Sequence, residues 1–220
     1  MSKFVRRLLG AAAVLGACAA VPASAAVITF DTMPSTLLFP GDSVSESGYR
    51  MTAGFDFGNV DTALLGFASA AVRPTGNATQ FYFNSNDGDL TVEREDGGLF
   101  NLNSFSAAFV PLNPPSAQST ALVALATPEF GAQFGVAWLF SSAFASFSNP
   151  ADFASFNRLR NVQFFACSFV GSQLCTAPTR NNGQFAIDNI NVTSIPEPTS
   201  IALVLSALLA AGFAARRTVR

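Results

Sequence analysis

Apolar and polar residues alternate along most of the chain between residues 27 and 194. The segment 100–110, FNLNSFSAAFV, shows this pattern over its whole length. A period of two is typical of β-strands that bury one face. Nine segments fit this description and predict strands: 27–30, 48–58, 79–85, 89–96, 100–110, 119–127, 132–142, 157–170 and 183–194.

The connections between these segments are rich in Gly, Pro, Asn and Ser, which favour turns. Many short strands joined in this way predict an all-β fold, an antiparallel β-sandwich or jelly roll. Asn86-Asp87-Gly88, between 79–85 and 89–96, is a strong turn signal of the kind that suits a tight hairpin. Two Ala-rich segments, 61–72 and 150–161, have wider apolar spacing and predict at most one or two short helical turns.

Composition supports a core built from phenyl rings. The chain has 23 Phe but only one Trp and two Tyr. Phe has no polar group, and burying one such side chain stabilises a fold by about 1.5–3 kcal/mol. The Phe residues in the strands are therefore assigned to the space between two sheets.

Charge excludes several classes of function. The chain has no His, and its single Lys lies at position 3, which removes imidazole bases and the commonest zinc ligands. Residues 26–195 hold six arginines and thirteen acidic residues, a net charge of −7. Nucleic acid binding needs clustered cations, so we expect no nucleic acid partner. We also expect no cofactor.

The N-terminus has the three parts of a secretory signal peptide. Lys3, Arg6 and Arg7 precede the apolar stretch 8–21, and Ala23-Ser24-Ala25 supplies small residues for signal peptidase. We predict a signal peptide over 1–25. A lipidated Cys18, after Leu15-Gly16-Ala17, is the alternative processing route.

The C-terminus combines a short motif, an apolar stretch and a basic end. Pro196-Glu197-Pro198 follows the last predicted strand, and residues 199–215 are almost entirely apolar. As a helix that stretch spans about 25 Å, just enough for a transmembrane segment. Arg216 and Arg217 in the tail 216–220 would keep the C-terminal end in the cytoplasm, with the domain at 26–193 on the far side of the membrane.

This order of features in 194–220 closely resembles the PEP-CTERM sorting signal. The resemblance implies recognition by exosortase, a membrane-embedded cysteine transpeptidase of Gram-negative bacteria that make extracellular polysaccharide. It implies export across the inner membrane, processing near the motif, transient membrane anchoring and a final location at the cell surface or outside the cell. A plain C-terminal anchor is the alternative.

The body resembles the globular part of one group of PEP-CTERM proteins. The resemblance rests on residues 90–110, LTVEREDGGLFNLNSFSAAFV, and on 183–198, GQFAIDNINVTSIPEP, where Gln184-Phe185 is followed by Asp188. It implies no catalytic residues.

Cys167 and Cys175 are the only cysteines after the predicted signal peptide. In an oxidising exported compartment, two cysteines eight positions apart most simply form a disulfide. A metal site built on these two cysteines is a poorer explanation, because the chain has no His to add as a further ligand. The acidic loop 84–89 could hold calcium through Asp87 and Asp89, but a turn explains it as well.

Three functions are compatible with these features. The first is a non-enzymatic surface or extracellular-matrix protein. The second is a lectin-like module that binds extracellular polysaccharide, for which Trp138, Asp188 and Asn189 are candidate contacts. The third, a hydrolase with paired carboxylates, has no defining spacing in the sequence.

Overall fold

The computed structural model describes residues 23–55, 57–61, 73–85, 87–110, 119–169 and 183–196. Residues Ser24–Ile195 form one compact unit. Within the described ranges there are thirteen strands and one short helix. They are β1 Ala25–Ile28, β2 Thr36–Leu38, β3 Ser43–Glu46, β4 Tyr49–Ala53, β5 Gly58–Asp61, β6 Phe81–Asn84, β7 Asp89–Arg94, β8 Phe100–Phe109, β9 Ser119–Pro128, β10 Phe134–Leu139, β11 Ala145–Phe147, α1 Pro150–Phe153, β12 Leu159–Phe169 and β13 Phe185–Ser194.

The strands form two antiparallel layers. In the first sheet the order is β2-β5-β6-β13-β8-β11, and β1 pairs with β13 beyond the end of β6. In the second sheet the order is β10-β9-β12-β7-β4-β3. Leu159 pairs with Phe100 and joins the layers at one corner. The predicted antiparallel β-sandwich is therefore confirmed for the described body.

The core lies between the two layers. From the first sheet it receives Tyr82, Phe105 and Ile187, and from the second Val92 and Phe164, all almost fully buried. A smaller apolar cluster covers the outer face of the first sheet and consists of Phe81, Phe83, Val110, Ala186 and the adjoining Phe144. The Phe residues thus fill the core as expected, and they also cover part of one outer face.

Each of the nine predicted strand segments overlaps a strand, although β1 shares only residues 27 and 28 with the predicted segment 27–30. The segment 48–58 divides into β4 and the start of β5, separated at Gly54, and the short strands β2, β3 and β11 had no prediction. In 150–161 only Pro150–Phe153 is helical. Of 61–72, Asp61 ends β5 and the remainder lies outside the described residues.

The predicted turn at Asn86-Asp87-Gly88 connects the two sheets and does not form a hairpin between neighbouring strands. A turn is present, since Gly88 N donates to Ser85 O at 3.2 Å. However, β6 pairs with β5 and β13, whereas β7 pairs with β4 and β12, so this connection crosses from one sheet to the other. An Asn-Asp-Gly sequence favours a turn whether or not the flanking strands pair. Which sheet each strand joins depends on strands that are distant in the sequence.

Candidate functional site

Trp138 lies in the core and does not offer a surface for stacking. Its side chain is 8% exposed, and its ring stacks on Phe153 with centroids 5.5 Å apart. Its Nε1 donates to Asp152 Oδ2 at 3.4 Å. The expectation of a direct ligand contact at Trp138 is therefore corrected: this residue holds α1 against the sandwich.

Asp188 is also buried, on the outer face of the first sheet. Its Oδ2 accepts from Asn77 Nδ2 at 2.6 Å and from Asn189 Nδ2 at 3.1 Å, and its Oδ1 accepts from Asn189 N at 2.7 Å. Burial, with a smaller contribution from the nearby charge of Asp31, raises the pKa of Asp188 to about 6. Asp188 thus fastens the segment around Asn77 to the sheet.

Asn189 is exposed and has a positive φ of 51° at an irregularity in β13. The register of β13 against β8 shifts between Asp188 and Asn191. Asp188 and Asn189 therefore form a bulge in β13. Neither residue lies near Trp138, which projects into the core from the second sheet, so the three candidate contacts form no common site.

The acidic loop is occupied by contacts within the protein. Asp87 Oδ1 accepts from Gly183 N at 2.5 Å. Asp89 is buried, and its carboxylate accepts from Phe55 N at 3.1 Å and from Gln163 Nε2 at 2.7 Å. In the described ranges no three His, Cys, Asp or Glu side chains come together as metal ligands.

A groove of about 300 Å³ lies beside the first half of β8. β11 pairs with β8 only at residues 105–107, which leaves the edge of 100–104 to the chain around α1. Leu102 N donates to Phe156 O at 3.0 Å and joins this chain to the strand. The polar lining of the groove is Asn101, Asn103, Ser148 and Asn157, and we call it the Asn groove.

Aromatic packing forms the floor of the Asn groove. Phe153 and Phe156 line it together with Leu102 and Pro150. Phe153 packs edge-on against Phe105 at 5.8 Å, and Phe156 packs against Phe134 at 5.2 Å. Both rings are at least nine-tenths buried. The floor is therefore rigid and fixed to the core.

Local capping explains why the chain turns here. Asn149 Oδ1 accepts from Ala151 N at 3.2 Å, and Pro150 occupies the first turn of α1. An Asn N-cap followed by Pro is a common helix start. This signal is visible in the sequence, but nothing in the sequence places it beside β8.

Each amide of the Asn groove has one end held by the protein. Asn101 Oδ1 accepts from Arg158 N at 3.0 Å, and Asn157 Nδ2 donates to Ala154 O at 2.8 Å. Asn103 Nδ2 donates to Thr193 Oγ1 at 2.8 Å and to Asn191 Oδ1 at 3.2 Å. Within the described part of the chain, the opposite ends of these amides make no hydrogen bond. These residues, which line the groove, therefore leave one amide donor and two carbonyl acceptors without a partner in the described part of the chain.

No acidic or basic side chain is among the described residues that line the Asn groove. Arg158, which follows Asn157 in the chain, pairs its guanidinium with Glu129. A neutral lining that both donates and accepts hydrogen bonds suits hydroxyl groups, which do the same.

Most of the predicted sorting and disulfide residues lie outside the described ranges. Pro196 is described, whereas Glu197, Pro198, Arg216 and Arg217 are not. Cys167 is buried on β12, and Cys175 is outside, so their pairing stays a prediction. Where helices are described, none is long and apolar enough to cross a membrane.

Comparison with known proteins gave structural similarity alone. No family model matches the chain, and no curated protein matches it. Similar solved structures include a DUF4465 family protein from Bacteroides ovatus, 9% identical, with a TM-score of 0.45, covering 79% of this chain and all of that one. TmCBM61 in complex with β-1,4-galactotriose is 12% identical, with a TM-score of 0.34 and coverages of 69% and 90%. The CBM22-1 xylan-binding domain of Paenibacillus barcinonensis Xyn10C is 7% identical, with a TM-score of 0.35 and coverages of 81% and 99%. These values define no family for the chain.

Proposed function

We propose that this chain is an exported surface protein whose β-sandwich binds neutral carbohydrate in the Asn groove. The observation that carries the proposal is the lining: three fixed amides and a hydroxyl over a phenyl floor, with no charged side chain. Binding sites of this kind orient a ligand through a few well-placed polar groups on an apolar surface.

The proposed role is binding without catalysis. Hydrolysis of a glycosidic bond needs two carboxyl groups on either side of the bond. The described lining of the Asn groove contains none. A sugar held there would meet amides, which position hydroxyls but do not transfer protons at neutral pH.

We also propose that exosortase sorts the protein through residues 194–220. The end of the folded unit supports this proposal. β13 ends at Ser194, Ile195 N donates to Leu99 O at 2.9 Å, and Ile195 O accepts from Arg94 Nη1 at 3.1 Å. The motif at Pro196 thus begins directly after Ile195, which these two hydrogen bonds hold to the sandwich.

A glycan array tests the carbohydrate part. The full-length protein, kept in detergent micelles, is applied to immobilised neutral and acidic glycans. We expect the protein to bind neutral glycans, and we expect Asn103→Ala to weaken that binding. Gln133→Ala is the matched control, because Gln133 is an exposed amide with one side-chain partner, Thr127 Oγ1 at 2.8 Å, and lies outside the groove. Binding to no neutral glycan would refute the proposal.

A further inference from the structure

The chain has no exposed indole or phenol ring. Its single Trp and both Tyr residues lie in the described part, and Trp138, Tyr49 and Tyr82 are 8%, 3% and 0% exposed. Flat aromatic rings hold an extended polysaccharide by stacking on successive sugar faces, and a polar handle on the ring suits a wet surface. This chain offers no such row of rings.

Exposed phenyl rings do not replace them at the groove. The exposed Phe residues of the described ranges are Phe39, Phe55 and Phe130, and none of them lines the Asn groove. The two rings that do line it, Phe153 and Phe156, are packed into the core. Contact with a ligand at this floor is therefore limited to small parts of the rings.

The polar groups of the groove are close together and few. They lie on one short stretch of β8 and on the chain next to α1, around a volume of about 300 Å³. Small-molecule sites occupy about 300–1,000 Å³, so this one is at the lower limit. A site of this size makes its hydrogen bonds to one or two sugar units.

We infer that the Asn groove binds the end or a short side branch of a neutral glycan, and not the flank of an extended chain. This inference rests on the proposed function. The donor of Asn101 and the carbonyl acceptors of Asn103 and Asn157 bind the hydroxyls of a terminal unit. A terminal unit exposes more free hydroxyls than an internal one, which is linked on both sides. Affinity therefore depends on the number of chain ends and not on chain length.

The experiment compares short and long probes. The probes are β-1,4-linked oligosaccharides of glucose, xylose and mannose, each with two and with six units, together with insoluble cellulose. Titration calorimetry measures binding to the soluble probes, and co-sedimentation measures binding to cellulose. Asn103→Ala and Asn157→Ala are compared with Gln133→Ala, so that a variant that fails to fold leaves a second one for the test.

The expected result is equal affinity, within about twofold, for the two-unit and six-unit forms of any sugar that binds. Each groove variant lowers that affinity about two- to tenfold, the effect of losing one neutral hydrogen bond. Gln133→Ala leaves it unchanged. Affinity that rises tenfold or more with length, or co-sedimentation with cellulose, overturns this inference and leaves the proposed function standing. If no neutral sugar binds in these titrations and none binds on the glycan array, both this inference and the proposed function are overturned.

Discussion

In the chain before the predicted signal-peptide cleavage, Ser24 and Ser194 lie 170 residues apart and exchange three hydrogen bonds. Ser24 N donates to Ser194 Oγ at 3.0 Å, while Ser194 N and Ser194 Oγ donate to Ser24 O at 2.9 and 3.2 Å. The next pair, Ala25 and Thr193, continues this contact as the first rung between β1 and β13. The first and last residues of the folded unit therefore lie side by side.

Arg94 holds this end of the sandwich together. Its Nη1 donates to Leu99 O at 3.0 Å and to Ile195 O at 3.1 Å, and its Nη2 pairs with Asp96. We expect Arg94→Met to lower the free energy of unfolding by about 1–3 kcal/mol, because the two carbonyls lose a partner in a partly buried setting.

Arg50→Met is the control for Arg94→Met in urea unfolding. Arg50 pairs with Glu93 at 2.7 Å but is 46% exposed, and exposed ion pairs contribute about 0–1 kcal/mol. Equal loss of stability in both variants would contradict an anchoring role for Arg94.

Asp188 predicts a pH dependence of stability. Its pKa is about 6 in the folded protein and lower in the unfolded chain, because burial disfavours the charged form. Between about pH 4 and pH 6 the folded state therefore binds more protons than the unfolded state. The contribution of this group to stability is complete below pH 4 and is lost as the pH rises through 6.

We expect Asp188→Asn to remove that part of the pH dependence in thermal unfolding. Asp31→Asn should move it to lower pH, because the charge of Asp31 helps to raise the pKa of Asp188. An Asp188→Asn protein with the wild-type slope between pH 4 and 6 would show that Asp188 is not the group responsible.

Gly54 is required by the side chain of Asp89. A Cβ at position 54 would overlap the Asp89 carboxylate, which Phe55 N and Gln163 Nε2 hold in place. We expect Gly54→Ala to destabilise the protein by about 1–3 kcal/mol, the usual cost of overpacking. Gly135→Ala on β10 is the control, since its nearest contact would be an ordinary 3.6 Å to Val123 Cγ1. Similar melting temperatures for both variants would argue against this clash.

The tail predicts a separation between processing and stability. Glu197→Ala should block exosortase processing in a host that has the enzyme, and should change the free energy of unfolding by less than about 0.5 kcal/mol. Loss of Arg216 and Arg217 should weaken membrane retention instead. The size and location of the exported protein give the measurement. Normal processing of Glu197→Ala would mean that the tail is a plain anchor.

Local patterns in the sequence predict the strands well and their partners poorly. The alternation in 100–110 identifies β8, because one face of that strand is buried. The same rule misses β2 and β11, which have three residues each and offer too few positions for a period to appear. The turn signal at 86–88 also does not show that 79–85 and 89–96 lie in different sheets, because a turn sequence does not determine which sheet the next strand joins.

The candidate site was missed for a related reason. Trp138 and Asp188 have the chemistry of sugar contacts, but both are buried, and burial depends on distant packing that the sequence does not show. Asn189 is exposed but lies at a bulge in β13, away from the groove. The Asn groove is built from 101–103 and 148–157, which β8 and α1 bring together. In the sequence its Asn residues look like ordinary surface amides, because the hydrogen bonds that fix them become visible only in the structure.

The position of β13 imposes an order on folding. This strand lies inside the first sheet, where it pairs with β1, β6 and β8, and it is the last strand in the described ranges. Ribosomes synthesise a chain from its N-terminus. The edges of β1 and β6 that pair with β13 therefore stay unpaired until almost all of the protein has been made. A nascent chain that ends before residue 185 has exposed strand edges in its first sheet. Residues 185–194 are needed to complete the sandwich.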